Sequence, residues 1–329
     1  MLKKSKIIIP LLIFAIVCAS AFIFVNKLQQ REDAENTKNS ESADALDYFR
    51  VRYDGAWYKE NPNLTTLLII GVDSFDIKEE HSKQCDSLVL VLMNEEDGTY
   101  KTLQLNRDTM ADVPQLDMNW QEYGTKNQQI ALAYSHSDSD AINAQNTVKA
   151  VSNLLYGVDV DHFIVLGMDA VPKINDLVGG VPVTIEDDFT NVDPSLIQGE
   201  TITLNGQQAL HFVRARSEMA EPTNIARMAR QRAYIQALHK AAIEKAEEDS
   251  DFIMRSLLEI SSYIDSDCSV TQLTKFFNIA LKCEPSDILT TKGEAQTSGE
   301  YNEYILDEDA LQQQVIDLFF IPDDSEHSL

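Results

Sequence analysis

The chain has 329 residues, and 27 Lys and Arg set against 53 Asp and Glu leave a formal charge of −26, which excludes a nucleic-acid binder built on a basic face. With 44% hydrophobic and 24% charged residues the composition is globular, so wholesale disorder is excluded as well. Neither G-x-G-x-x-G nor G-x-x-x-x-G-K-[ST] occurs, and H-E-x-x-H and C-x-x-C are absent, so neither a glycine-rich nucleotide cradle nor a zinc site made from a local motif is expected.

Residues 1–6 are basic, with Lys3, Lys4 and Lys6, and Ile7 to Val25 follow as 19 uncharged residues, long enough to cross a bilayer as one helix. The apolar run continues past Ala19-Ser20-Ala21, which disfavours cleavage there. The lysines place residues 1–6 in the cytoplasm and the body outside it, as a single-pass protein of the cell membrane. Residues 26–60 are polar and read as a stalk or linker, residues 61–320 as the folded domain and residues 321–329 as a tail. In that compartment Cys268 and Cys283 are candidates for a disulfide.

Thr65 to Val72 carries Leu67-Leu68-Ile69-Ile70 and reads as a buried central strand that ends at Asp73. Ser87 to Leu92 is a second strand, and a turn at Asn94 to Gly98 leads into a third, Lys101 to Asn106, so these two are expected to pair antiparallel. A helix over Ala141 to Leu155, a strand over His162 to Leu166 and a helix over Asp169 to Val178 stopped by Gly179-Gly180 follow. Val181 to Ile185 and Ala209 to Arg214 read as strands; Ala226 to Lys245, Phe252 to Ile264, Thr271 to Leu281 and Glu308 to Phe319 read as helices. Strands mixed with helices in one piece predict an α/β fold, a mixed central sheet flanked by helices in three layers.

Five of the ten arginines, Arg214, Arg216, Arg227, Arg230 and Arg232, fall within 19 residues whose only acids are Glu218 and Glu221. This is a local reversal of sign. A strand ending in Val213-Arg214-Ala215-Arg216 would put two guanidinium groups on one face. Arg227, Arg230 and Gln231 share a helix face, with Arg232 pointing elsewhere. Such converging forks suit a many-oxygen anion such as a pyrophosphate, and pairing with surface carboxylates is the plain alternative. Asp73, Asp86 and Asn106-Arg107-Asp108-Thr109 gather at strand ends, where ligands of such sheets bind. Asp73 and Asp86 are candidate ligands of Mg²⁺, which takes one or two carboxylates plus phosphate oxygens.

At these residues the sequence resembles the LytR-CpsA-Psr family of bacterial envelope proteins. The resemblance rests on Leu68-Ile69-Ile70-Gly71-Val72-Asp73, Cys85-Asp86-Ser87-Leu88, Leu105-Asn106-Arg107-Asp108-Thr109, Ile130 to Tyr134, Asp176 to Val181, Leu204 to Leu210, Val213-Arg214-Ala215-Arg216 and Arg227-Met228-Ala229-Arg230-Gln231. It implies an extracytoplasmic phosphotransferase that moves glycopolymer phosphate, of the teichoic acid or capsule type, from a polyprenyl-pyrophosphate-linked donor to a peptidoglycan sugar hydroxyl. The lipid tail would lie in an apolar groove between sheet and helices. By position, Asp73 and Asp86 would hold Mg²⁺, with Mn²⁺ as a substitute. Arg107, Arg214, Arg216, Arg227, Arg230 and Gln231 would clamp the pyrophosphate, and Asp86 or Asp108 would take the acceptor proton.

Three positions depart from the family pattern: Gln84 and Phe75 stand where arginine is usual, and Asn224 where aspartate is usual. Loss of a cation at Gln84 weakens an anion clamp by about 1–3 kcal/mol. Two further readings therefore stand beside transfer. One is hydrolysis of a polyprenyl pyrophosphate, and the other a membrane-anchored module that binds the lipid-linked glycan without chemistry.

Overall fold

The structure, a computed structural model, describes residues 50–73, 83–216, 218–284, 286–298 and 301–323. The apolar span at 7–25 and Phe75 lie outside the described residues. Among the described residues no helix is long and apolar enough to cross a membrane.

The described chain opens with a hairpin, β1 (Arg50–Tyr53) and β2 (Ala56–Glu60), turned by Asp54 and Gly55 at φ +44° and +81°. Asp-Gly suits this turn because both central residues must take positive φ. Residues 50–60, read from the sequence as stalk, are thus part of the folded body.

Three long antiparallel strands follow, β3 (Leu64–Val72), β4 (Cys85–Asn94) and β5 (Thr99–Leu105). A hairpin of β6 (Met110–Leu116) and β7 (Glu122–Gln129) leads through a 3-10 turn over Ile130–Tyr134 to α1 (Asp140–Leu154), capped by Ser139. β8 (His162–Gly167) returns parallel to β3, and α2 (Ala170–Leu177) stops at Gly179 and Gly180, whose φ values are +82° and +101°.

β9 (Val181–Thr184) is the strand expected at Val181, but it pairs only with β10 (Thr201–Leu204), away from the central sheet. The expected strand over Ala209 to Arg214 is instead the last six of the nine residues of helix α3 (Gly206–Arg214). The reason is local: Asn205 accepts from the Gln208 N–H, and the Gln208 side chain accepts from the Asn205 N–H, closing a capping box.

α4 (Asn224–Glu248), α5 (Phe252–Ile260), β11 (Ile264–Ser266) and α6 (Val270–Ala280) come next, so the helix expected to reach Ile264 ends at Ile260 and Ile264 opens a strand. β12 (Ile288–Thr290), the hairpin β13 (Gly293–Ser298) and β14 (Tyr301–Leu306), α7 (Glu308–Phe319) and β15 (Phe320–Pro322) complete the described residues. β15 adds to β2, so residues 320–322 close a small three-stranded sheet with the first hairpin. Cys268 and Cys283 are both free thiols, and the candidate disulfide is not formed.

The central sheet is six-stranded and mixed, in the order β11-β8-β3-β4-β5-β12. Alternation along β3 divides its faces. Leu68, Ile70 and Val72 enter a filled core with α1 and α7, whereas Leu67 and Ile69 point to the layer of α2, α4, α5 and α6. This gives the expected three layers.

α2 and α3 meet backbone to backbone. A Cβ on Gly206 would lie 2.7 Å from the Pro172 carbonyl oxygen and 2.9 Å from its Cα. Gly206→Ala should therefore cost about 1–3 kcal/mol and lower the melting temperature of the full chain by about 3–10 °C, although alanine is the better helix former. An unchanged melting curve would show that the two helices can part freely.

Candidate active site

The antiparallel register that pairs Val72 with Cys85 and Leu88 with Leu105 brings the end of β3, the start of β4 and the end of β5 to one sheet edge. Asp73, Asp86 and the Asn106 to Thr109 turn are therefore neighbours. α4 lies across this edge and presents Arg227, Arg230 and Gln231, each 5% exposed.

Asp86 is the hinge of the site. Its Oδ1 accepts from Nη1 of Arg107 and, at 3.2 Å, from Nη1 of Arg227, while its backbone carbonyl accepts from Arg227 Nη2 at 3.3 Å. Both ion pairs fall on Oδ1, so Oδ2 faces no donor among the described residues. Arg107 Nη2 donates to Gln84 Oε1, and Arg227 Nη2 to Asn224 Oδ1 at 2.7 Å. The Nε–H groups of both arginines are buried without a hydrogen-bond partner among the described residues. Burial pulls the Arg227 pKa below its ordinary value, and Asp86 opposes the shift.

Asp108 is buried beside this pair, with Arg107 Nε 3.7 Å from its Oδ1 and Gln129 Nε2 donating to it at 3.3 Å. Burial raises its pKa above the ordinary value of an aspartate, against the pull of Arg107, Arg216 and Arg227.

The remaining arginines stand differently. Arg214 is the last residue of α3 and pairs with Asp73 at 3.2 Å, with both side chains about 60% exposed. Arg216 donates from Nε to the Pro222 carbonyl at 3.3 Å. Arg230 binds Asp187 at 2.7 Å and the carbonyls of Phe212 and Ala215, so its guanidinium caps the end of α3. Gln231 donates to the Val213 carbonyl at 3.4 Å and accepts from Gln104 at 3.1 Å. Arg232, expected to point away, reaches Gln104 Oε1 at 3.0 Å.

Beneath the site lies an apolar cavity of about 430 Å³ between the sheet and α2, α4, α5 and α6. Leu67, Ile69, Val89 and Val91 form its sheet wall, and Gly71, Ser87 and Gln231, each within two residues of the polar cluster, also line it. His239 on its wall is internally satisfied by the Tyr100 hydroxyl at 3.0 Å and the Ala280 carbonyl at 2.8 Å.

For a cation, the donor set is two carboxylates at one sheet edge, Asp86, whose Oδ2 accepts no hydrogen bond from the described residues, and Asp73, exposed and paired with Arg214. This fits a hard ion that keeps its waters and adds phosphate oxygens. A His162, Asp267 and Cys268 cluster lies at the other end of β8, where His162 pairs with Leu67, and takes no part here.

The LytR_cpsA_psr family model matches residues 22–318. The chain belongs to this family. Among LytR_cpsA_psr relatives it is similar to the polyisoprenyl-teichoic acid–peptidoglycan teichoic acid transferase TagU of Halalkalibacterium halodurans, at 27% identity over 179 residues, 54% of this chain and 53% of that protein. It is also similar to the TagU of Oceanobacillus iheyensis, at 26% over 273 residues, 82% of this chain and 79% of that one. The match to the first thus spans about half of that relative's length. The solved structure of TagT bound to LIIa-WTA shares the fold, with a TM-score of 0.60 at 20% identity over 78% of this chain and 90% of that one.

Two departures from the family pattern can now be placed. Gln84 and Asn224 each offer an amide oxygen to one arginine of the central pair, so a neutral group holds each guanidinium. Gln104, Gln129 and Asp187 were not singled out from the sequence. For Gln104 a signal existed: Thr102 and Gln104 put polar groups on one face of a strand whose other face is Leu103 and Leu105.

Proposed function

We propose that this chain attaches a glycopolymer to the cell wall. It transfers the polymer's phosphate from a polyprenyl-pyrophosphate-linked donor to a sugar hydroxyl of peptidoglycan, outside a membrane to which residues 7–25 anchor it. One observation carries this reading: a sizeable apolar cavity is lined at Gly71, Ser87 and Gln231 beside a buried arginine pair. A prenyl chain suits the first and a pyrophosphate the second. The names of the TagU relatives point the same way.

In this reading Arg107 and Arg227 turn their unpartnered Nε–H groups and part of their Asp86 contacts to the pyrophosphate oxygens, with Arg214 and Arg216 at the rim. Asp73 and Asp86 Oδ2 would hold Mg²⁺ or Mn²⁺, which supplies charge neutralisation for the pyrophosphate when bound. The acceptor hydroxyl forms a new bond to the glycan-bearing phosphorus, the bond to the bridging oxygen breaks, and the prenyl monophosphate leaves. Asp108 takes the hydroxyl proton, since burial has raised its pKa while Asp86 is engaged by two cations. The arginines stabilise charge spread over the phosphoryl oxygens without a covalent intermediate.

The full chain in detergent, given lipid-linked donor and wall fragments, should release prenyl phosphate only when the fragments are present, and a chelator should stop it. Release without acceptor would identify a hydrolase, and no release a binding module. Ala242 lines the cavity, so Ala242→Trp should fill it. Transfer should fall about tenfold or more while the fold and stabilisation by inorganic pyrophosphate persist, because the binding energy of the tail contributes to the rate. Wild-type turnover by this variant would show that no tail enters.

A further inference from the structure

Asn224 opens α4, but Thr223 caps the helix, so the Asn224 side chain is not used for capping. It is nevertheless 5% exposed and fully engaged. Its Nδ2 donates to Asn106 Oδ1 at 2.6 Å, and its Oδ1 accepts from Arg227 Nη2 at 2.7 Å. Asn106, 4% exposed, accepts on the same Oδ1 from the Asp108 backbone N–H at 2.9 Å.

These contacts admit one arrangement. The Asp108 N–H can only donate, so Asn106 must turn its oxygen to it. That oxygen calls for the Nδ2 of Asn224, and the Asn224 oxygen is left for a guanidinium that also can only donate. With Arg227 on Asp86, Asp86 on Arg107 and Arg107 beside Asp108, the contacts close a ring through β4, the turn after β5 and the first turn of α4.

Resting on the transfer reading above, we propose that Asn224 and Asn106 are positioning residues. They form a neutral, one-directional amide relay that holds the Arg227 anion clamp at a set spacing from Asp108. Neutrality matters as much as direction. An aspartate at 224 would offer no N–H to Asn106, would oppose two oxygens at 2.6 Å, and would add a second negative charge beside the arginine pair that Asp86 already bridges.

The test uses the full chain in detergent and four variants: Asn224→Ala, Asn106→Ala, the double variant and Asn224→Asp. Inorganic pyrophosphate with Mg²⁺ is the binding probe, and kcat, KM and melting temperature are read beside its Kd. Each alanine variant should weaken pyrophosphate binding and lower kcat by about tenfold or more, and the double variant should lose no more than the worse single one, because both break one relay. Asn224→Asp keeps an acceptor for Arg227, yet should bind pyrophosphate about tenfold more weakly than wild type.

Wild-type Kd and kcat in Asn224→Asp would overturn the relay. So would single effects that multiply in the double variant, or a loss of melting temperature alone with Kd and kcat unchanged. A wild-type chain that binds pyrophosphate and does not turn over overturns the transfer reading and leaves the relay to be judged on Kd. A wild-type chain that binds none overturns both.

Discussion

Asp86→Ala should abolish transfer and destabilise the fold at the same time. The Asp86 side chain is 13% exposed and lies between Arg107 at 12% and Arg227 at 6%, bridging both through one oxygen. Its removal leaves two buried guanidinium groups with only Asp108, 3.7 Å from Arg107, as counter-charge, and breaking a buried pair typically costs about 3–5 kcal/mol. In a domain of this size that lowers the melting temperature by about 6–15 °C. A strand-end carboxylate judged from sequence contributes little packing, so the sequence alone suggests an intact fold. The ion pairs reverse that expectation. Pyrophosphate should restore part of the lost melting temperature in this variant, because it supplies negative oxygens between the same arginines. Asp86→Asn should lie between the two, since its amide can still accept from one arginine. Melting like wild type together with more than a tenth of wild-type turnover would show that Asp86 is neither counter-ion nor part of the reaction.

Arg107→Ala should separate chemistry from folding. Arg107 touches Gln84, Asp86 and Asp108, and without it Asp86 still keeps Arg227 and Asp108 still accepts from Gln129, so neither carboxylate is left without a donor. Turnover should fall about 10²–10³-fold, the cost of losing a preorganised donor to a developing oxyanion, while melting moves by only a few degrees. Arg107→Lys should not rescue it, because one ammonium cannot reproduce the fork that spans Gln84 and Asp86. Arg230→Ala is the contrasting control. Its guanidinium is spent on Asp187 and on the last carbonyls of α3, so its loss should appear first in melting. Equal melting losses for Arg107→Ala and Arg230→Ala would contradict this division.

Both predictions turn on a distinction that residue order does not carry. Five arginines in 19 residues mark a cationic region, and Asp73, Asp86 and Arg107 at strand ends mark a sheet edge, because a strand's end and its partner's start are neighbours in any antiparallel pair. Which arginine is spent on a carbonyl, which is exposed with Asp73 and which meets Asp86 depends on how α4 crosses that edge. Asp86 and Arg227 are 141 residues apart.

Elements with strong local signals were legible by the chain alone. β3 and β4 show apolar runs of strand length, β5 its period of two, Gly179-Gly180 ends α2, and α4 runs long enough to reveal its period. The Ala209 to Arg214 segment reads as a strand from its short apolar run, and the Asn205 and Gln208 caps make it a helix. Strands of three residues, such as β11, β12 and β15, have no such signal. They exist because β8, β5 and β2 offer open edges whose N–H and C=O groups need partners. By itself, then, the sequence determined the layers of this protein and the chemical kinds of group at one sheet edge. The tertiary structure decided the ion pairs, the amide relay and the cavity, because each depends on the spacing of side chains brought together from distant elements.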